Sequence, residues 1–243
     1  MVSVRRVVGA VATVVVAAGI CLAASGCTEQ ATTGGGPEHQ KTTSAAMPTG
    51  TKGAVDFDKG FLTLGSGSTV VDTFIDPMCP YCGEFERTNG SQLGGLVNDG
   101  TITLRIHPLT FLDQASGGSK YSSRASSALT CVAANHPVKT LVYLSALYAK
   151  QPAEGSSGLS DNQLVKLADT SGAGDASACI RGGDYIAWAQ KFNDKALRGG
   201  ITGADITSIK GTPTILVDGH VFKGDFTDPT AVASFIAAGG TSA

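Results

Sequence analysis

Apolar and polar positions change their period several times along the chain. An apolar run rich in Val and Ala extends from Val7 to Ala24, whereas from Thr28 to about Lys52 large apolar side chains almost vanish. Phe61-Leu62-Thr63-Leu64 then predicts a short strand, and Gly65-Ser66-Gly67-Ser68 a turn. Val70 to Ile75 predicts a second strand, and Thr101 to Ile106 alternates as a third. Between these two, Pro80 suits a first helical position, so a helix is expected to start there and run through Glu84, Phe85 and Glu86.

From about Gln114 to Gly199 the period is helical. Tyr121, Ala125, Ala128 and Val132 form one stripe. Val138, Leu141, Val142 and Leu144 form another after Pro137, and Tyr185, Trp188, Ala189 and Phe192 a third; all three read as core packing. Ser160 with Gln163 makes a capping box, and Leu159 with Leu164 a hydrophobic staple. The end returns to strands. Thr214 to Val217 and His220 to Phe222 flank an Asp218-Gly219 turn, and Asp228 caps a last helix that begins at Pro229 and turns Val232, Phe235 and Ile236 inward.

The start of the chain changes the picture of where this domain works. Arg5 and Arg6 precede the apolar run, and Ala24-Ser25-Gly26-Cys27 follows it, the order of a secretory signal peptide. The last four residues resemble the lipobox of bacterial lipoproteins, with Ala24 where Leu is usual. That resemblance implies cleavage before Cys27 and a lipid on its sulfur. An uncleaved membrane anchor is the alternative, and both place the rest of the chain outside the cytoplasm. Thr28 to about Lys52 is then a flexible tether. The net charge of −2 supplies no basic surface for nucleic acid.

Six cysteines carry the chemistry. Cys21 leaves with the signal segment and Cys27 is the lipid site, so Cys79, Cys82, Cys131 and Cys179 remain. Four cysteines allow three pairings in an oxidising compartment. The close spacing of Cys79 and Cys82 fits a local redox pair and leaves Cys131 for Cys179. A four-thiolate zinc site would use two close pairs, and only one is present. Thiol–disulfide exchange needs a thiolate, and a helix N-terminus favours one through its free N–H groups and dipole. Cys79 is the expected nucleophile, first in the motif and more exposed. Cys82, a turn later, is expected to resolve the mixed disulfide. A purely structural disulfide is the competing reading.

A strand, a helix opening on Cys79-Pro80-Tyr81-Cys82 and a second strand form a βαβ unit, and C-x-x-C beside one is a thioredoxin-like signal. With Asp76-Pro77-Met78 before the motif, Gly83-Glu84-Phe85-Glu86 after it and Gly211-Thr212-Pro213-Thr214 before a late strand, the chain resembles the DsbA-like branch of the thioredoxin superfamily, and within it the actinobacterial, envelope-anchored lipoproteins. The resemblance implies an α/β, thioredoxin-like fold with an inserted helical domain. Residues 54–113 and 200–240 would form the first and 114–199 the second, after a signal peptide over 1–26 and a lipidated tether over 27–53. It also implies a cis Pro213 against the cysteines, with Thr212 and Pro213 completing the catalytic set.

The family's role is to oxidise cysteine pairs in exported proteins without a bound cofactor. Reoxidation would come from a quinone-linked membrane partner of the vitamin K epoxide reductase type. Thr212 before the proline and Tyr81 in the motif also occur in isomerase-type relatives, so isomerase or reductase is the alternative on this fold. A non-catalytic cell-surface binding lipoprotein is the alternative from another class. Some relatives carry a buried Glu on the strand before the motif; Thr73 stands there, and alternation turns nearby Asp72 to the opposite face, which leaves the proton acceptor open. Of the histidines, His39 lies in the tether, His107 reads as structural, and His136 and His220 as turn residues.

Overall fold

The computed structural model describes residues 46–241. The signal segment, Cys21, Cys27, His39 and most of the tether lie outside the described residues. Strands β1 (Thr51–Lys52), β2 (Val55–Asp56), β3 (Phe61–Gly65), β4 (Thr69–Ile75), β5 (Ile102–Pro108), β6 (Thr214–Val217) and β7 (His220–Val221) form one sheet in the order β1-β2-β3-β5-β4-β6-β7. Helix α1 (Pro80–Asn98) carries the chain from β4 to β5, which pair in parallel with Val71 opposite Leu104 and Thr73 opposite Ile106. Strand β6 returns antiparallel to β4, with Ile215 opposite Thr73.

Alternation along β4 divides the core. Val71 and Ile75 join Leu104, Ile106, Ile215 and Val217 in the main core, whereas Phe74 faces the other way with Leu109, Leu216 and Ile209. Helix α1 lays Cys82, Phe85, Asn89 and Leu93 against the first face, an i, i+3, i+7, i+11 stripe. Between β5 and β6 lie α2 (Tyr121–Asn135), α3 (Thr140–Ala149), α4 (Asp161–Thr170), α5 (Ser177–Gly182) and α6 (Ile186–Leu197).

Helix α2 is buried almost all round, so its small residues must satisfy their hydroxyls internally. Ser126 Oγ donates to the Leu109 carbonyl at 2.7 Å and Thr130 Oγ1 to the Ser126 carbonyl at 2.8 Å. Cys131 on α2 and Cys179 on α5 are disulfide-bonded, with Cα atoms 5.8 Å apart. That bond removes two sulfurs from any four-thiolate set. Helix α7 (Pro229–Ala237) follows the β6–β7 hairpin, and the Asp228 carboxylate accepts from the Thr230 N–H at 2.8 Å. The capping box at Ser160 and Gln163 is formed as the sequence predicts.

Three readings of the sequence differ from the structure. Thr51–Lys52 at the end of the tether pairs as β1, because its hairpin docks on the end of α2. Lys52 Nζ donates to Asn135 Oδ1 at 2.9 Å, and Gly53 at φ +56° passes so close to the Ala133 carbonyl that a Cβ would clash. Val138 and Val142 are 86% and 51% exposed rather than core. A 3₁₀ turn over Pro137–Lys139 resets the phase, so α3 turns Tyr143, Leu144, Leu147 and Tyr148 inward instead. His220, read both as a turn residue and as the start of the last strand, lies in β7 opposite Val217. Among the described residues no helix is long and apolar enough to cross a membrane.

Candidate active site

Strand β4 ends at Ile75, and Asp76-Pro77-Met78 leads straight into α1. Cys79 is its N-cap residue, with extended backbone at φ −68° and ψ 118°, and Pro80 opens the first turn. Both motif cysteines are free thiols. Cys79 is only 5% exposed and Cys82 fully buried, so the expected nucleophile is more enclosed than its place in the motif suggests, though still the more accessible of the two. The Thr212–Pro213 peptide is cis and lies over the motif, and the Cys79 thiol donates to the Thr212 carbonyl at 3.2 Å. Tyr81 is 62% exposed with its ring edge toward Phe226, so an apolar shoulder flanks the cysteine. Buried Asn89, about two turns further along α1, holds that loop by donating to the Phe226 carbonyl at 2.7 Å.

Beneath the motif Asp76 organises the turn, a role its proximity to Cys79 in the sequence did not disclose. Its Oδ1 accepts from the Met78 N–H and the Ser122 hydroxyl, each at 2.7 Å, and its Oδ2 from the Leu112 N–H at 2.8 Å. The Tyr148 hydroxyl donates to its carbonyl at 3.1 Å, and its own N–H points at Cys82 Sγ at 3.5 Å. Gln151 Nε2 spans the carbonyls of Pro77 and Cys79 at 3.1 and 2.8 Å. Tyr148 and Gln151 come from more than 70 residues away and match no motif, so no local pattern could have marked them.

These surroundings separate the two thiols. The Cys79 pKa is lowered to about 6, first by the Cys82 thiol donating to its anion. Burial opposes this, and the Thr212 side chain and the backbone N–H groups of Cys82 and Tyr81 add to it. The Thr212 carbonyl partners only the neutral thiol, since it has no proton to give an anion. Cys82 is pushed well above the ordinary range, first by burial and then by its hydrogen bond and repulsion with Cys79. Asp76 rises to about 6 because burial outweighs its three donors. Glu86 rises to about 7 by burial.

His107 sits on the far face of the sheet. Its Nε2 is 2.7 Å from Asp72 Oδ1 and its ring stacks on Phe74 at 3.9 Å. Desolvation lowers its pKa against the pull of Asp72. Both residues line a cavity of about 530 Å³ on that face, away from the cysteines. Asp72 lies on the opposite face from Thr73, as alternation predicts, and His107 is bonded to it there, away from the motif.

Residues 65–237 match the family model described as thioredoxin. The chain is 35% identical over 184 residues to the serine/threonine-protein kinase PknE of Mycobacterium tuberculosis, an alignment covering 74% of this chain. The chain spans about a third of the length of the curated relatives it matches, 31% of that kinase. Among solved structures, the reduced disulfide bond oxidoreductase DsbG of M. tuberculosis aligns at 30% identity and a TM-score of 0.60, over 72% of this chain and 83% of that one. Oxidised DsbA of the same species aligns at 27% identity and 0.63, over 75% and 93%. MdbA of Actinomyces oris, at 21% identity and 0.60 over 77% and 93%, shares the fold.

Proposed function

The chain belongs to the thioredoxin family, in its DsbA-like branch, and we propose that it is a protein thiol–disulfide oxidoreductase that oxidises cysteine pairs of exported proteins. The observation that carries this reading is the unequal pair: a Cys79 whose thiolate is favoured near neutral pH, over a Cys82 whose thiolate is not. In the oxidised enzyme a substrate thiolate attacks Cys79 Sγ, the Cys79–Cys82 bond breaks, and Cys82 leaves and takes up a proton. A second substrate thiolate then attacks the substrate sulfur of the mixed disulfide and expels Cys79 as its stable thiolate. Two electrons pass from the substrate dithiol to the enzyme pair.

The proposed direction rests on the leaving group. A stabilised Cys79 thiolate favours the reduced enzyme and so makes its disulfide an oxidant. The apolar shoulder at Tyr81 and Phe226 suits unfolded chains, and Thr212 offers backbone polar groups beside the sulfur for an extended substrate. A Cys82→Ser variant is expected to accumulate mixed disulfides through Cys79 with exported proteins. Absence of such adducts while a Cys79→Ser chain keeps its cellular role would favour the non-catalytic surface protein. Repair of scrambled substrates without net oxidation would favour isomerase, and net reduction reductase.

The site of action proposed is the cell envelope, with the tether anchored through lipid on Cys27. Two observations support it: the order Arg5, Arg6, apolar run and Cys27, and the Cys131–Cys179 bond, which needs an oxidising compartment. The proposed reoxidant is a quinone-linked membrane protein of the vitamin K epoxide reductase type. Loss of membrane retention in a Cys27→Ala chain tests the anchor.

A further inference from the structure

The stretch from Pro77 to Pro80 aims the nucleophile, and it is short of local hydrogen-bond partners. Pro77 and Pro80 have no N–H to give, and the Cys79 side chain makes no capping bond at the start of α1. The Cys79 carbonyl accepts the first helical bond from the Gly83 N–H at 3.1 Å. The carbonyl of buried Pro77 receives no backbone donor among the described residues. A buried acceptor left in that state is costly.

The missing donor comes from the helical segment between β5 and β6. Gln151 lies two residues past the end of α3, with its N–H still on the Tyr148 carbonyl at 3.2 Å. Pro152 follows and disfavours a helical backbone at Gln151, so the chain leaves the helix there. The side chain reaches back to α1, and its Nε2 donates to the Pro77 carbonyl at 3.1 Å and to the Cys79 carbonyl at 2.8 Å. A side-chain amide has two such protons, and both are used. With Tyr148 on the Asp76 carbonyl, the end of α3 takes three of the four carbonyls from Asp76 to Cys79. Gly83 makes room for this. Gln151 Oε1 lies so close over α1 that a Cβ at Gly83 would collide with it. Arg87 borders the same seat, with Nη1 3.1 Å from the place of that Cβ.

Resting on the oxidoreductase reading above, we propose that Gln151 is a positioning residue for the nucleophile: its amide clamps the Pro77 and Cys79 carbonyls and so fixes the turn that points Cys79 Sγ at the backbone N–H groups of Tyr81 and Cys82. Those two groups favour the anion. Their aim depends on the backbone of Cys79, the N-cap residue. Without the amide, the Cys79 carbonyl keeps only the Gly83 N–H and the Pro77 carbonyl keeps nothing. The sulfur then loses alignment with its donors. Gln151 gives up no proton and passes no electron; it acts through the backbone that it holds.

The test measures iodoacetamide alkylation of Cys79 against pH in the reduced full chain, with urea denaturation beside it. It compares the native chain with Gln151→Met, Gly83→Ala and the double variant. Gln151→Met keeps the length of the side chain and removes its donor. Gly83→Ala keeps the amide and evicts it from its seat, at a helical position where Ala is intrinsically the better residue. Each is expected to raise the Cys79 inflection by about one pH unit, the loss of about one charge-assisted hydrogen bond. Each should also lower the equilibrium constant for reduction of the motif disulfide by glutathione at pH 8 by about tenfold. The double variant is expected to move no further than the larger single change, because both remove the same clamp. An inflection unmoved in Gln151→Met, whatever its stability, overturns the proposal. So do shifts that add in the double variant, which would trace the Gly83→Ala effect to Arg87 or to α1 itself. If Gln151→Met does not fold, an unmoved inflection in Gly83→Ala overturns it alone. A native Cys79 that forms no mixed disulfide with glutathione overturns the oxidoreductase reading, and the proposal with it.

Discussion

The Cys79 sulfur lies 3.2 Å from the carbonyl oxygen of Thr212, a contact across 133 residues of chain. It places the first motif cysteine under the segment proposed to receive substrate, and closes that side of the site with backbone. Cys79 is accordingly expected to be the reactive thiol despite its enclosure. With a pKa of about 6, it is expected to be about nine-tenths ionised at pH 7. Alkylation of the reduced protein by iodoacetamide should inflect near pH 6 and modify Cys79 while sparing Cys82. An inflection near the ordinary thiol range would refute the stabilised thiolate.

Asp76 fastens the turn before the motif to α2 and to the loop at Leu112. Asp76→Ala leaves three buried donors without partners. At about 1–3 kcal/mol for each unsatisfied group, partly relieved by relaxation and by the half-buried position of Leu112, a loss of about 2–4 kcal/mol is expected. Urea denaturation measures it. A change under about 1 kcal/mol would mean that the network is not structural.

Glu86 works against the stability of the fold. Its pKa rises from 4.5 to about 7 in the native state, so its contribution to stability is complete below pH 4.5 and is lost as pH climbs through 7. A partly enclosed carboxylate shifted this far corresponds to about 1–3 kcal/mol. Glu86→Gln should therefore be more stable than the native chain by that amount at pH 8 and equal to it at pH 4, when both are followed by urea denaturation. Lower stability at pH 8 would show the carboxylate to be favourably partnered.

The second disulfide is expected to brace the helices and not to exchange. Replacing Cys131 and Cys179 with Ser opens a 48-residue link, worth about 3–4 kcal/mol in the chain-entropy model. The alkylation profile of Cys79 should be unchanged. A shifted Cys79 profile would couple the helical region to the motif.

Much of this was legible in the chain because the signals are local. Strand β4, the Pro80 start of α1, the Asp218-Gly219 hairpin and the Ser160 capping box each depend on neighbours in sequence, and each formed. Counting left three pairings, the close spacing of Cys79 and Cys82 favoured one, and the Cys131–Cys179 bond is the one that formed. What escaped depends on contacts between distant segments. Val138 and Val142 match a helical stripe, and only the 3₁₀ turn before α3 sets the phase that exposes them. Asp76 was visible as an acid near the motif, but its three donors come from Met78, Leu112 and Ser122. Glu86 was placed on the helix that Pro80 opens and in the family motif, and only the packed helix shows its carboxylate lying against the bare Gly90.

The central claim concerns which form of the motif is preferred. A Cys79 pKa lowered from 9.0 to about 6 stabilises the reduced pair only above pH 6 and increasingly up to pH 9. At pH 7 this amounts to about 1.4 kcal/mol, or roughly 30 mV. Equilibration of the Cys79–Cys82 pair with glutathione buffers measures the potential directly. The expected value lies above the roughly −270 mV of a reducing thioredoxin. It should fall by about 59 mV per pH unit below pH 6 and about 30 mV per unit above it, with the reduced form the more stable to denaturation. A potential at or below that level, with a more stable oxidised form and no break in slope near pH 6, would contradict an oxidase driven by the Cys79 thiolate.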